Sequence, residues 1–252
     1  MSPMSAKQRH ELKYEISPHD AFVLSQRLGM LFPRDGHAGP DGRYVVRSLY
    51  FDTPFDDALR EKSEGFTARA KWRLRTYGTA KIEEHEPGRT VRLEKKVKRD
   101  GAGSKHAAWI TPSDALRLCG RNAPAAQGPA TGADRSAPPG VSGGDENPVL
   151  AEFRQAKVVH GLRPCVVVAY EREAFLCAPG NVRVTIDSRL RSNPHPASFF
   201  DPARLLTPYA PDTVVLEVKF DDFLPDVVRD AVRVPSAVRT AHSKYALGRR
   251  FE

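Results

Sequence analysis

The sequence predicts an α+β protein whose sheet curls around a charged interior, and three observations carry that reading. Four stretches place a charged residue at every second position: Arg9-Glu11-Lys13, Arg69-Lys71-Arg73-Arg75, Arg92-Glu94-Lys96-Lys98 and Glu217-Lys219. Alternate residues of a strand share a face, so each stretch aligns a row of charge. The residues between are often apolar (Leu12, Trp72, Leu74, Val91, Leu93, Val97, Leu216 and Val218), which gives each strand a second face suited to a core. Segments with helical spacing and N-capping pairs punctuate the strands. One such strand reads as a solvated outer face. Several in one domain, mostly basic with a few carboxylates, suit an interior built for a polyanion and a divalent cation.

The elements follow in order. Residues 8–14 form a first strand. Ser17-Pro18 then supplies an N-cap with proline at the first helical position, and Ala21, Leu24, Leu28 and Leu31 recur at helical spacing until Pro33. A loop runs from Gly36 to Gly42, a strand over 44–52, and a short helix over 54–62 that ends near Gly65. Two long strands, 66–77 and 90–99, flank a polar connector containing Glu84, His85 and Glu86, which reads as a solvated turn. Thr111-Pro112 starts another helix. Residues 120–148 are rich in Gly, Pro, Ala and Ser and hold almost no large apolar side chains, so they read as a disordered insertion. Asn147-Pro148 caps a helix carrying Leu150, Phe153 and Val158, which Gly161 stops. Strands follow at 164–176, 181–188 and 213–220, and the tail from Pro225 is helical in composition. The whole, 1–252, reads as a single domain interrupted by the insertion.

At 252 residues, 40% hydrophobic and 28% charged, the chain is long enough for a substantial core and reads as globular. Its net charge of +8 favours anionic partners. Three cysteines, Cys119, Cys165 and Cys177, match no zinc spacing and suit a reducing, cytoplasmic compartment. No apolar run approaches the length of a membrane span. Nucleic acid is not the expected partner, because the basic residues fall on predicted inward faces without interleaved aromatic platforms.

The charged rows carry the chemistry. Arginine forks grip phosphate oxygens bidentately and lysine acts as a point charge. Crowded cations repel one another unless an anion or counter-charge is present. Glu11, Glu94, Asp187 and Glu217 share the predicted faces of the basic residues, and hard divalent cations favour such oxygens. Glu94 and Asp187 leave two readings open, metal ligand or partner of a neighbouring cation. Glu217 reads as a metal ligand. No Ser-His-Asp or Cys-His nucleophile is evident.

These residues resemble the VTC domain, the polyphosphate polymerase branch of the triphosphate tunnel metalloenzymes. The similar stretches are RHELKY (9–14), SLYFDTP (48–54), RAKWRLRTYG (69–78), RLEKKVKRDG (92–101), YEREAF (170–175), VRVTIDSRLR (182–191), VLEVKF (215–220) and SKYALG (243–248), in the family's order. The resemblance implies an antiparallel β tunnel with flanking helices. It implies an enzyme that transfers the γ-phosphoryl of ATP to a growing inorganic polyphosphate chain, assisted by Mn2+ or Mg2+. Arg73, Arg75 and Lys244 would act catalytically. Lys13, Arg69, Lys71, Lys96, Lys98, Arg172, Arg183 and Lys219 would bind phosphates, and Glu217, Glu94 and Glu11 would hold the metal. Triphosphatases and cyclases of the superfamily carry Glu-x-Glu-x-Lys on the first strand. Arg9-x-Glu11-x-Lys13 departs from that in the direction of the polymerase branch. Two other readings accompany this one: a triphosphatase of the same fold, and a non-catalytic polyphosphate-binding module.

Overall fold

The computed structural model describes residues 9–83, 88–99, 102–120, 147–204 and 206–250. The low-complexity stretch expected to be disordered and the turn around His85 lie almost wholly outside them. The strands are β1 (His10–Ile16), β2 (Tyr44–Asp52), β3 (Arg69–Tyr77), β4 (Val91–Arg99), β5 (Ala102–Ile110), β6 (Arg163–Cys177), β7 (Val182–Asn193), β8 (Thr207–Ala210), β9 (Val214–Phe220) and β10 (Val238–Arg239). The helices are α1 (Pro18–Leu31), α2 (Asp57–Ser63), α3 (Pro112–Leu118), α4 (Pro148–His160), α5 (Ala197–Phe200), α6 (Asp226–Ala231) and α7 (Lys244–Gly248). The strands form one sheet in the order β10-β1-β9-β7-β6-β2-β3-β4-β5, with β8 paired to β7. Every pairing whose register is defined is antiparallel. This is the α+β class that the alternation and the intervening helices implied, with the antiparallel sheet that the family resemblance implied.

The described chain divides into two compact units, each assembled from separate stretches. One comprises 9–46, 169–192 and 207–250, the other the described parts of 47–168 with 193–204 and 206. In the first unit, β1, β9 and β7 bury their apolar alternates. Ile16, Val214, Leu216, Val218, Val184 and Ile186 pack with Leu24 and Leu28 of α1 and with Val228 and Ala231 of α6. In the second, Leu49, Phe51, Trp72, Leu74, Val91, Leu93, Ala108 and Ile110 form a core closed by Ala115 and Leu118 of α3 and by Leu150 and Phe153 of α4. Phe153 meets Phe51 and Trp72 edge-on at centroid distances of 4.8 and 5.1 Å, a favourable geometry for aromatic quadrupoles. In both units the charged alternates are left on the opposite face.

The caps read from sequence are made. Ser17 accepts from Asp20 N at 3.1 Å and Thr111 from Asp114 N at 3.1 Å. Asn147 accepts from Val149 N at 3.0 Å, and Gly161 ends α4 at φ 64°. Three expectations need correction. Val158 is 85% exposed: five residues beyond Phe153 it lies about 140° around the helix from that side chain, off the buried stripe. Leu31, in the last turn of α1, is likewise exposed. The tail, helical in composition, is helical only over α6 and α7, and Pro235 between them lacks an amide donor and disfavours helical geometry at Val234. The chain between them supplies β10, which pairs Val238 and Arg239 with Glu15 and Tyr14. Strand β5 had no counterpart in the sequence reading.

Candidate functional site

Register assembles the first charged face. Residues directly opposed on antiparallel neighbours point to the same side. Across β1, β9 and β7 the rows are therefore Glu11–Lys219–Arg183, Lys13–Glu217–Thr185 and Glu15–Val215–Asp187. Lys13 Nζ stands 2.5 Å from Glu11 Oε1 and 3.2 Å from Glu217 Oε2, and Lys219 pairs with the other oxygen of Glu217. Burial alone would raise the Glu217 pKa. The ammonium groups of Lys219 and Lys13 outweigh it and hold the carboxyl well below its usual range. Burial would likewise lower Lys13, but Glu217 and Glu11 raise it above the usual lysine value.

At the edge of this face Asp187, fully buried, receives Arg172 bidentately, Nε to Oδ1 at 2.6 Å and Nη2 to Oδ2 at 2.8 Å. Lys244 Nζ from α7 meets Asp187 Oδ2 at 2.7 Å. Both cations also lie over the Tyr170 ring, at 5.2 and 4.7 Å from its centroid, which stabilises cations removed from water. Burial would raise the Asp187 pKa, but Arg172 and Lys244 bring it down to about 2. Arg183 Nη2 donates to Asp35 Oδ2 at 2.5 Å and to the Tyr44 hydroxyl at 2.9 Å. Arg9 does not extend the charged row: its guanidinium donates to the Asn181 carbonyl at 2.6 Å and pairs with Asp221.

The second charged face lies on β3, β4 and β5. Its rows are Arg75–Arg92–Trp109, Arg73–Glu94–Ala107, Lys71–Lys96–Lys105 and Arg69–Lys98–Gly103. Glu94, 1% exposed, is its centre. Arg73 approaches Oε2 with Nε at 2.7 Å and Nη2 at 2.5 Å, and Arg75 Nη1 lies 3.8 Å from the same oxygen. Arg92 Nε and Lys105 Nζ each stand 3.4 Å from Oε1. Against burial, Arg73 and Arg75 hold this carboxyl far below its usual range. Arg75 Nε also donates to Ser48 Oγ at 3.2 Å, and Arg73 Nη1 to the Tyr50 hydroxyl at 3.2 Å. Burial, then the like charges of Lys62 and Arg69, lower Lys71 to about 8. Burial also lowers Lys105 to about 8, although Glu94 opposes it.

The predicted residues thus fall into two groups by unit. Lys13, Arg172, Arg183, Lys219, Lys244, Glu11 and Glu217 belong to the first, and Arg69, Lys71, Arg73, Arg75, Lys96, Lys98 and Glu94 to the second. Sequence reasoning passed over Tyr50, Ser48, Tyr170, Lys105, Trp109 and Thr185. Ser48, Tyr50, Tyr170 and Thr185 are neutral and lie on strands without a recognised charged row, and Lys105 and Trp109 sit on the unread strand. Of the two readings left open for Glu94 and Asp187, both side chains display the ion-pair one.

The family model of the VTC domain matches residues 8–251, nearly the whole chain. The chain belongs to the VTC domain family. No curated protein matches it. Among solved structures it is similar to a proposed adenylyl cyclase from Hippeastrum described with a dominant triphosphatase activity. That match has 14% identity and a TM-score of 0.49, and it covers 97% of this chain and 96% of the other. It is also similar to a proposed adenylate cyclase from Bacillus halodurans, at 14% identity and a TM-score of 0.47, over 89% of this chain and 86% of that one. The family assignment rests on the sequence match.

The family resemblance implies a divalent metal, and the donor set can be tested for fit. Glu11 and Glu217 aim oxygens at one cationic point, the Lys13 ammonium. Two carboxylates completed by phosphate oxygens are a donor set that Mg2+ or Mn2+ accepts. Among the described residues no three His, Cys, Asp or Glu side chains gather as a metal-binding group. The pair therefore fits an ion held jointly by protein and substrate.

Proposed function

We propose that this VTC-family chain is an ATP-dependent polyphosphate polymerase, transferring the γ-phosphoryl of ATP to the end of an inorganic polyphosphate chain. The observation that supports it most is the Glu94 cluster, where four cations face one buried carboxylate. Crowding of that many cations around one carboxylate is unfavourable unless a further anion offsets it. Phosphoryl transfer demands positioning and charge neutralisation more than covalent participation by the protein, and a row of arginine forks on a rigid sheet supplies both. Arg73 and Arg75 would grip phosphate oxygens, positioned by Tyr50 and Ser48. On the other unit's charged face Lys13, Arg172 and Lys244 would bind phosphate oxygens, Asp187 holding the last two in place. Glu217 and Glu11 would hold the divalent cation, which would supply charge stabilisation to the transferring phosphoryl group. The acceptor phosphate needs no general base of high pKa, since it is already an oxyanion.

Arg9 bears on the choice of acceptor. It removes a carboxylate from the first-strand pattern and engages Asp221 in place of a ligand, so its contribution is reduced metal-ligand capacity. Purified protein incubated with ATP and Mn2+, with products sized by electrophoresis, tests the reading. ADP and long polyphosphate are expected. Free phosphate released one-for-one with ADP would make it a triphosphatase. Binding of polyphosphate without turnover would make it a binding module.

A further inference from the structure

The middle row of the first charged face ends on a residue that no role has yet claimed. Thr185 is 3% exposed, and its hydroxyl is buried without a hydrogen-bond partner among the described residues. It stands opposite Glu217 in register, yet the Glu217 oxygens face Lys13 and Lys219. Two residues away on the same face of β7, Arg183 repeats the anomaly. Its Nη2 is held by Asp35 and Tyr44, while its Nε is buried and unpartnered among the described residues. Buried polar groups are nearly always paired. Leaving one unmet costs more than a made bond gains. Two such donors side by side on one strand face, among cations, point to an acceptor that arrives with the ligand. Arg183 is positively charged, so that acceptor is an anion and not a metal ion.

We infer that the Thr185 hydroxyl and Arg183 Nε donate to one phosphate group of a bound triphosphate, making Thr185 a phosphate-binding residue. The inference rests on the function proposed above and adds a neutral donor to the cations already named. The pair is preset. The contacts to Asp35 and Tyr44 hold the guanidinium through Nη2, and a β-branched threonine has few rotamers to lose. Phosphate oxygens accept both donors without any proton transfer.

Thr185→Val preserves shape and strand propensity while removing the hydroxyl; Thr185→Ser keeps the hydroxyl and loses a methyl. Parent and variants are titrated with inorganic tripolyphosphate by calorimetry, and the free proteins are unfolded thermally. Thr185→Val is expected to weaken binding about tenfold or more, the loss of one hydrogen bond to a charged group, and Thr185→Ser to stay within about threefold of the parent. Free Thr185→Val should unfold no earlier than the parent, because it no longer buries an unmet hydroxyl. Parent-like tripolyphosphate affinity in Thr185→Val would overturn the inference alone. A lowered unfolding midpoint in that variant would assign the hydroxyl a structural role and overturn it too. Failure of the parent itself to bind tripolyphosphate would overturn the functional reading along with it.

Discussion

The two charged faces balance their cations differently. On β3, β4 and β5 a single buried carboxylate, Glu94, stands among Arg73, Arg75, Arg92 and Lys105. In the other unit Lys13, Arg172, Arg183, Lys219 and Lys244 are matched by Glu11, Asp35, Asp187 and Glu217. The cations also ionise differently. On the surplus face burial, with like charges added, lowers Lys71 and Lys105 to about 8, whereas on the balanced face neighbouring carboxylates outweigh burial and raise Lys13 and Arg172 above their ordinary values. A surplus face gains most from an incoming anion. A balanced face keeps its cations charged and placed, and also presents carboxylate oxygens.

The largest effects are expected on the balanced face, where each carboxylate neutralises buried cations. Asp187→Asn removes the carboxylate that Arg172 and Lys244 share. It should cost about 3–5 kcal/mol, the usual consequence of breaking a buried pair, read from denaturant unfolding. A loss under 1 kcal/mol would show that the pair is solvated. Acid titration reports the same contact. Asp187 has a folded pKa depressed from 3.8 to about 2. Its contribution to stability is therefore complete above pH 3.8 and is lost as pH falls through about 2, a window that Asp187→Asn should abolish. Glu217→Gln should lower turnover about 100-fold, the scale of removing one transition-state electrostatic contact, with a retained unfolding transition. Parent-like activity at limiting Mn2+ would remove Glu217 from the metal-holding role.

How far each face was legible follows from how it is built. The surplus face is local. Its rows lie on β3 and on β4, the strand after it, and the alternation Arg69-Lys71-Arg73-Arg75 was enough to find it. Its third strand escaped because GSKHAAWI has no charged alternation. The available signal was Asp100-Gly101, a two-residue hairpin turn in sequence, although those two residues lie outside the described structure. The balanced face draws on β1, β6, β7, β9 and α7, far apart in the chain. Periodicity identified its strands, and the family resemblance pointed to Lys244. Neither could show that Asp187 joins Arg172 to Lys244, or that Thr185 falls opposite Glu217, because register and helix return are tertiary facts. Charge is easy to read as a pattern; the neutral side chains that orient it, Tyr50, Ser48 and Tyr170, are not.

A smaller effect separates the faces by pH. Between pH 7 and 9 Lys71 and Lys105 lose their protons, so tripolyphosphate affinity should fall as pH rises through about 8. Replacing both by arginine, which stays charged, should flatten that profile, while Lys13→Arg should leave it unchanged. A profile unaffected by the double replacement would place the titrating group elsewhere.

The central claim is that these cations act as placed phosphate ligands and not as a diffuse basic surface. ATP turnover of Arg75→Lys and Lys244→Ala, each at low and high salt, tests it most directly. Lysine conserves the charge of Arg75 but not its planar fork, and Lys244 is anchored on Asp187 far from Arg75 in sequence. Turnover about tenfold or more below the parent in both variants, at both salt concentrations, is the expected result, since placed contacts are weakly screened. Parent-like turnover in both, with binding set only by salt and total charge, would contradict it.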